Sequence, residues 1–158
     1  MRTSYIIALG ANRRHPRHGA PQHVVAAAIE RLAPRARSRI SVTPPLGPSR
    51  RRYANAAILI ESMLSPPDLL AKIKTIEHDF GRRGRGQRWS ARVLDLDIIL
   101  WSGGAWEDAS LTIPHYAFRT RRFVLAPLCE IVPHWRDPIS HLSVRHLLTR
   151  LDRKQLSP

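Results

Sequence analysis

The sequence predicts an α+β fold, a ferredoxin-like sandwich with a mainly antiparallel sheet. Three observations predict it. Apolar runs with strand character alternate with helical periodicity in the order βα–ββ–αβ, followed by a helical tail. The chain has 158 residues, enough for one compact domain with its own core, so 1–158 reads as a single domain. Its apolar content of 43% is ordinary for a globular protein, and no internal repeat or linker divides it.

Each element has its own signal. Residues 4–9 (SYIIAL) read as a buried strand that Gly10 breaks. Pro21 opens a helix in which Val25, Ala28, Ile29 and Leu32 share one face, and Pro34 ends it. Residues 38–43 (SRISVT) read as an edge-type strand with Ile40 and Val42 on one side. Prolines and a glycine make 44–52 (PPLGPSRRR) a loop. YANAAILIE, 53–61, reads as a central strand. Ser65 is the expected N-cap of the next helix, Pro66 suits its first turn and Gly81 its end. Between them Leu69, Ile73, Ile76 and Phe80 form a core-facing stripe. GRRGRGQRW, 81–89, is too rich in glycine and arginine for a regular element. A strand from Val93 to Trp101 follows it. Residues 112–116 are extended around Pro114, Arg122 to Glu130 is helical despite Pro127, and a last short helix covers Ser143 to Leu151.

Composition narrows the function classes. The single cysteine, Cys129, rules out an internal disulfide and fits a reducing, cytosolic setting. No run approaches the ~20 apolar residues of a membrane span, and Tyr5 to Leu9 is too short for a signal-peptide core. The expectation is a soluble cytoplasmic protein without a membrane partner. Exposed prolines and strand edges point to a monomer. The formal charge of +14 predicts anionic partners: nucleic acid, nucleotide or acidic lipid. Of the 26 basic residues, however, 23 are arginines spread along the whole chain, so position says more than count.

RWSARVLDLDIIL, 88–100, is the most informative stretch. Residues two apart on a strand face the same way, so Asp95 and Asp97 share a face with Val93 and Ile99, while Leu94, Leu96, Ile98 and Leu100 take the other. Their Cα atoms would lie ~6.5 to 7 Å apart. Two such anions ~5 Å apart would repel by roughly 3 kcal/mol at an effective dielectric near 20. Either the neighbouring arginines offset this, or a divalent metal does. Two oxygen donors with open positions suit Mg²⁺ better than Zn²⁺, which would want cysteines or several histidines. Arginine forks match phosphate oxygens. Metal, arginines and a glycine-rich loop together describe phosphoryl transfer.

RWSARVLDLDII resembles the signature of the 6-hydroxymethyl-7,8-dihydropterin pyrophosphokinase family. YIIALGAN (5–12), VTPPLGP (42–48), YANA (53–56) and IPHYAFRTRRFVLAPLCEI (113–131) resemble further family blocks in the same order, over about residues 5 to 135. The resemblance implies a three-layer αβα sandwich on a ferredoxin-like core. It implies transfer of pyrophosphate from ATP to the hydroxymethyl group of 6-hydroxymethyl-7,8-dihydropterin, in folate biosynthesis, with ATP as co-substrate and two Mg²⁺ ions. By that resemblance Asp95 and Asp97 hold the metals and Arg82 and Arg92 act on the phosphates. Arg88, Trp89, Ile98, Thr112, His115, Tyr116 and Arg121 line the ATP site. Thr43, Pro44, Leu46, Tyr53, Asn55 and Phe123 form the pterin pocket, with Phe123 stacking on the ring. The loops 81–86 and 47–52 are expected to close over the substrates.

Local pattern reads some of these residues differently. Phe123 looks like a core aromatic, His115 like a hydrogen-bonded structural histidine, and Arg82, Arg83 and Arg85 like a solvated charge run. Asn55 is more telling, because an amide within YANAAILI costs burial energy unless it is paired. The chain also departs from the family pattern at Ser90, Gly84, Ala117, Arg122 and the basic stretch 49–52, none of which removes a metal ligand. Two other classes compete: a relative that binds nucleotide and pterin without turnover, and a basic nucleic-acid-binding module. Against the latter, no recognition helix or RNA-binding motif is present, and an Asp-x-Asp pair repels phosphodiesters unless metals intervene.

Overall fold

The computed structural model describes residues 1–43, 52–81 and 93–156. In chain order the elements are β1 (Thr3–Ala11), α1 (Pro21–Leu32), β2 (Ala36–Arg37), β3 (Ser41–Thr43), β4 (Tyr53–Ser62), α2 (Pro66–Gly81), β5 (Asp95–Trp101), β6 (Trp106–Glu107), β7 (Thr112–Ile113), a 3-10 turn (Phe118–Thr120), α3 (Arg122–Ile131) and α4 (Val144–Leu156). The main sheet runs β2-β4-β1-β5, with β3 also on β4, and every described pairing in it is antiparallel. This is the strand order of a ferredoxin-like βαββαβ unit, as expected.

Alternation along the strands divides the sheet between two cores. Tyr5, Ile7, Leu9, Ala54, Ala56, Ile58, Leu96 and Ile98 face α1 and α2, whose buried stripes include Val25, Ala28, Ile29, Leu69, Ile73 and Ile76. Ile6, Ala57, Ile99 and Leu100 face the other way, against Phe118, Leu125, Leu128, Val144 and Leu147. Two helical layers therefore sandwich one sheet. Burying a side chain such as Leu69 or Ile99 stabilises the fold by roughly 1.5–3 kcal/mol, so both layers are held by substantial apolar burial.

Four expectations need correction. Gly10 does not end β1, which runs on to Ala11 with Gly10 paired on both sides. Of the stretch 38–43 only Ser41–Thr43 is strand; β2 lies just before it at Ala36–Arg37, and Ser38 turns aside between the two. Its buried hydroxyl accepts the Ala57 N–H at 2.9 Å and donates to the Arg39 carbonyl at 2.8 Å. Val93 packs in the first core and Leu100 in the second, opposite to simple alternation. Val93 precedes the paired strand, and a register shift against Ile6/Ile7 turns the end of β5 over. Finally, α4 extends to Leu156, and β6 was not foreseen.

Candidate active site

The second face of the sheet is apolar at one end and polar at the other. Asn55 pairs with Gly10, and Gly10 pairs with Asp95, so these residues form one row across β4, β1 and β5. One step along, Ala57, Ala8 and Asp97 form the next row. Ser41 lies opposite Asn55, and Thr43 opposite Tyr53. The register thus gathers Thr43, Tyr53, Asn55, Asp95 and Asp97 on one face, beyond the point where Ala57 and Ile99 are covered by α3 and α4. Asp95 and Asp97 are both exposed, while Leu96 between them is buried on the opposite side.

The loop after β7 closes this end. His115 donates its backbone N–H to the Ile99 carbonyl at 3.0 Å, which docks it two residues beyond Asp97. Burial pushes the His115 imidazole below its ordinary value; the nearby Asp97 carboxylate opposes that and Arg121 adds to it. Asp97, His115 and Arg121 are therefore within electrostatic reach of one another. The His115 Nδ1 accepts the Ala117 N–H at 3.2 Å, so in the neutral ring the proton sits on Nε2. Tyr116 stacks on His115 with centroids 4.8 Å apart, and the Arg121 guanidinium lies 5.8 Å from the centre of the Phe123 ring.

Three large aromatics stand open here: Tyr116 is 77% exposed, Phe123 52% and Tyr53 46%. Exposed rings on the polar side of a sheet are what a flat ligand would cover. Phe123 is thus not the core residue that local pattern makes it. It lies in the first turn of α3, whose buried side is formed by Val124, Leu125 and Leu128. Among the described residues, none hydrogen-bonds the Asn55 side-chain amide. Ile98 sets its side chain in the first core, on the face opposite Asp97, which leaves only its backbone to serve a nucleotide. Thr112 is exposed in β7, on a short ribbon with β6 that lies against β5. Pro44, Leu46, Arg82, Arg88, Trp89 and Arg92 lie outside the described residues, as do Gly84 and Ser90.

One contributor was missed by the sequence reading. Glu77 on α2 accepts the Leu96 N–H at 2.8 Å, between the two aspartates, and so ties the helix to the strand that presents them. Its sequence signal is an acid directly beside Ile76, at the margin of the apolar stripe. Arg122, which departs from the family pattern, is absorbed by an ion pair with Asp152 of α4 at 2.9 Å.

The family model of 7,8-dihydro-6-hydroxymethylpterin-pyrophosphokinase matches this chain over residues 6–133. The chain belongs to that pyrophosphokinase family. It is similar to the 2-amino-4-hydroxy-6-hydroxymethyldihydropteridine pyrophosphokinase of Haemophilus influenzae, 37% identical over 160 residues covering 99% of this chain and 98% of that one. The Pseudomonas aeruginosa enzyme of the same name is 38% identical over 139 residues, 84% and 82% of the two chains. The Synechocystis one is 42% identical over 106 residues, 67% of this chain but only 54% of that longer relative. Among solved structures, Plasmodium falciparum HPPK-DHPS matches with a TM-score of 0.75 at 11% identity, covering 98% of this chain and 42% of that one. At that identity the likeness speaks for the fold, which agrees with the αβα sandwich described above.

Proposed function

We propose that the face carrying Asn55, Asp95 and Asp97 is the active site of a pyrophosphokinase working on the family's substrates. The reaction follows from membership: pyrophosphate passes from ATP to the hydroxymethyl group of 6-hydroxymethyl-7,8-dihydropterin, leaving AMP and the pterin diphosphate, in folate synthesis. The bond that forms joins the hydroxymethyl oxygen to the β-phosphorus, and the bond that breaks joins that phosphorus to the oxygen kept by AMP.

The donor set fits Mg²⁺. Asp95 and Asp97 are two exposed carboxylates on one face, and no group of three His, Cys, Asp or Glu side chains gathers among the described residues. Such a pair leaves most coordination positions to water and phosphate oxygens, which is how Mg²⁺ is usually bound beside nucleotides. Bound there, the metal would neutralise phosphate charge. The chain's own residues do the rest. Asn55 offers an amide to the edge of the pterin, and Phe123 and Tyr53 offer ring faces to it. His115, Tyr116 and Arg121 form the nucleotide side, and Arg82 and Arg92 are assigned to the phosphates. A cytoplasmic monomer is part of this reading: the single cysteine fits a reducing compartment, and exposed prolines and strand edges fit a monomer.

The observation that carries the proposal is the shared row: the amide suited to the acceptor and the carboxylate suited to metal-phosphate face the same side of the sheet across one strand. The test is AMP formation from ATP and Mg²⁺, with and without the hydroxymethyldihydropterin. Pterin-dependent AMP is expected. Binding of both substrates without AMP would instead mark a relative that has lost turnover, and nucleic-acid binding with steep salt dependence and no pterin affinity would overturn the site.

A further inference from the structure

We propose that Arg119 and Asp137 form a positioning pair that holds the nucleotide-side segment 115–121 against the sheet, a role that rests on the pyrophosphokinase reading above. The Asp137 side chain is fully buried, with 0% exposure, and no metal or substrate role is assigned to it. It accepts the Arg119 Nε–H at 2.5 Å and a second Arg119 N–H at 2.8 Å, the two-pronged contact that guanidinium makes best. The Ile139 N–H at 3.0 Å and the Ser140 hydroxyl at 2.7 Å complete its shell. The loop holding Asp137 is closed on itself. Asp137 donates its N–H to the Leu142 carbonyl, and the His141 N–H donates back to the Asp137 carbonyl.

Arg119 reaches this fixed point from the middle of the 3-10 turn, with its guanidinium also 4.8 Å from the centre of the buried Phe118 ring. The segment is pinned at its start, where His115 bonds to Ile99, and at its end, where the Arg121 carbonyl accepts the Val124 and Leu125 N–H groups of α3. Between those pins, the Phe118 N–H to His115 carbonyl and Thr120 N–H to Ala117 carbonyl bonds shape the turn, and Phe118 together with the Arg119–Asp137 contact anchors the path that places His115, Tyr116 and Arg121. Phe123 sits inside α3 and is held by that helix instead. Loosening the pair should therefore disturb the nucleotide side and spare the pterin side.

The test compares Arg119→Gln and Arg119→Lys with the wild type. Calorimetry with a non-hydrolysable ATP analogue and Mg²⁺ is run beside steady-state KM for the pterin. Arg119→Gln should weaken analogue binding about tenfold, the scale expected from a small misplacement of contact groups, with pterin KM within about twofold. Arg119→Lys, which keeps the charge without the two-pronged contact, should fall between. Analogue affinity within about twofold of wild type in a folded Arg119→Gln variant would overturn the proposal. So would an equal loss on the pterin side, which marks general loosening. Should Arg119→Gln fail to fold, Arg119→Lys is judged by the same criteria, and wild-type values there count against the pair. Absence of pterin-dependent AMP in the wild type would sink the functional reading alone, since analogue binding still reports on the pair.

Discussion

Asn55 and Asp95 lie in one row of the sheet, on either side of Gly10. Adjacent strands are ~4.8 Å apart, so the two residues stand about 10 Å apart, on the same side of the sheet. The strand between them leaves little room for a side chain at that point. A methyl group on Gly10 would come within 3.2 Å of the Asn55 side-chain oxygen.

Gly10→Ala is therefore expected to raise the pterin KM while leaving ATP-analogue affinity close to wild type. The Asn55 oxygen would have to move by a few tenths of an ångström, and losing one well-placed hydrogen bond of ~1 kcal/mol corresponds to about a fivefold rise. Steady-state kinetics in both substrates checks this. A rise confined to the ATP side would contradict the pterin assignment of Asn55.

Asp97→Asn is expected to keep the fold and lose activity. Its carboxylate is exposed, so the change in stability should stay within about 0.5 kcal/mol. The loss in kcat should be at least about 100-fold, the scale for removing one electrostatic partner of a transition state. Thermal unfolding and single-turnover AMP formation measure the two effects separately.

Phe123→Ala should weaken pterin binding about tenfold through the lost ring contact, with little effect on stability because the ring is about half exposed. Fluorescence titration of the pterin is the direct readout. Unchanged affinity would place the ring outside the pocket.

Asp137 gives a pH signature of stability. Burial alone would raise its carboxyl pKa, but the Arg119 contact, the Ile139 N–H and the Ser140 hydroxyl outweigh that and hold it at about 2. A group depressed from 3.8 to about 2 contributes stability above its unfolded-state value and loses it as pH falls toward its folded-state one. The contribution, on the order of 2 kcal/mol, should be present at pH 5 and fade between about pH 4 and 2. Urea unfolding of the wild type and Asp137→Asn should show a gap at pH 5 that narrows at pH 2.5.

Much of this was readable in the chain. The helix Pro66–Gly81 and the strand Tyr53–Ser62 carry periodicities long enough to identify them, and their burial matches. The aspartate pair was equally legible, since two charges in an apolar run can face only one way out. What escaped depends on partners distant in sequence. Ser38 looks like any strand residue until the Ala57 N–H is seen to need its hydroxyl. Gly10 reads as a breaker because its reason for being bare, Asn55, lies 45 positions away across the sheet. Glu77 and Leu96 meet only after α2 has packed beside β5. Phe123 has the pattern of a core ring, and only the placement of α3 leaves it half exposed. Residues 82–92, which include Arg82 and Arg92, the arginines proposed to act on the phosphates, fall outside the described structure.

The most direct measurement is a crystal structure with Mg²⁺ and a non-hydrolysable ATP analogue. The account predicts metal density coordinated by Asp95 and Asp97 and by phosphate oxygens, with the analogue's phosphates on the same side as Asn55. Arginine side chains paired to both carboxylates, with nucleotide bound and no ion between them, would contradict it.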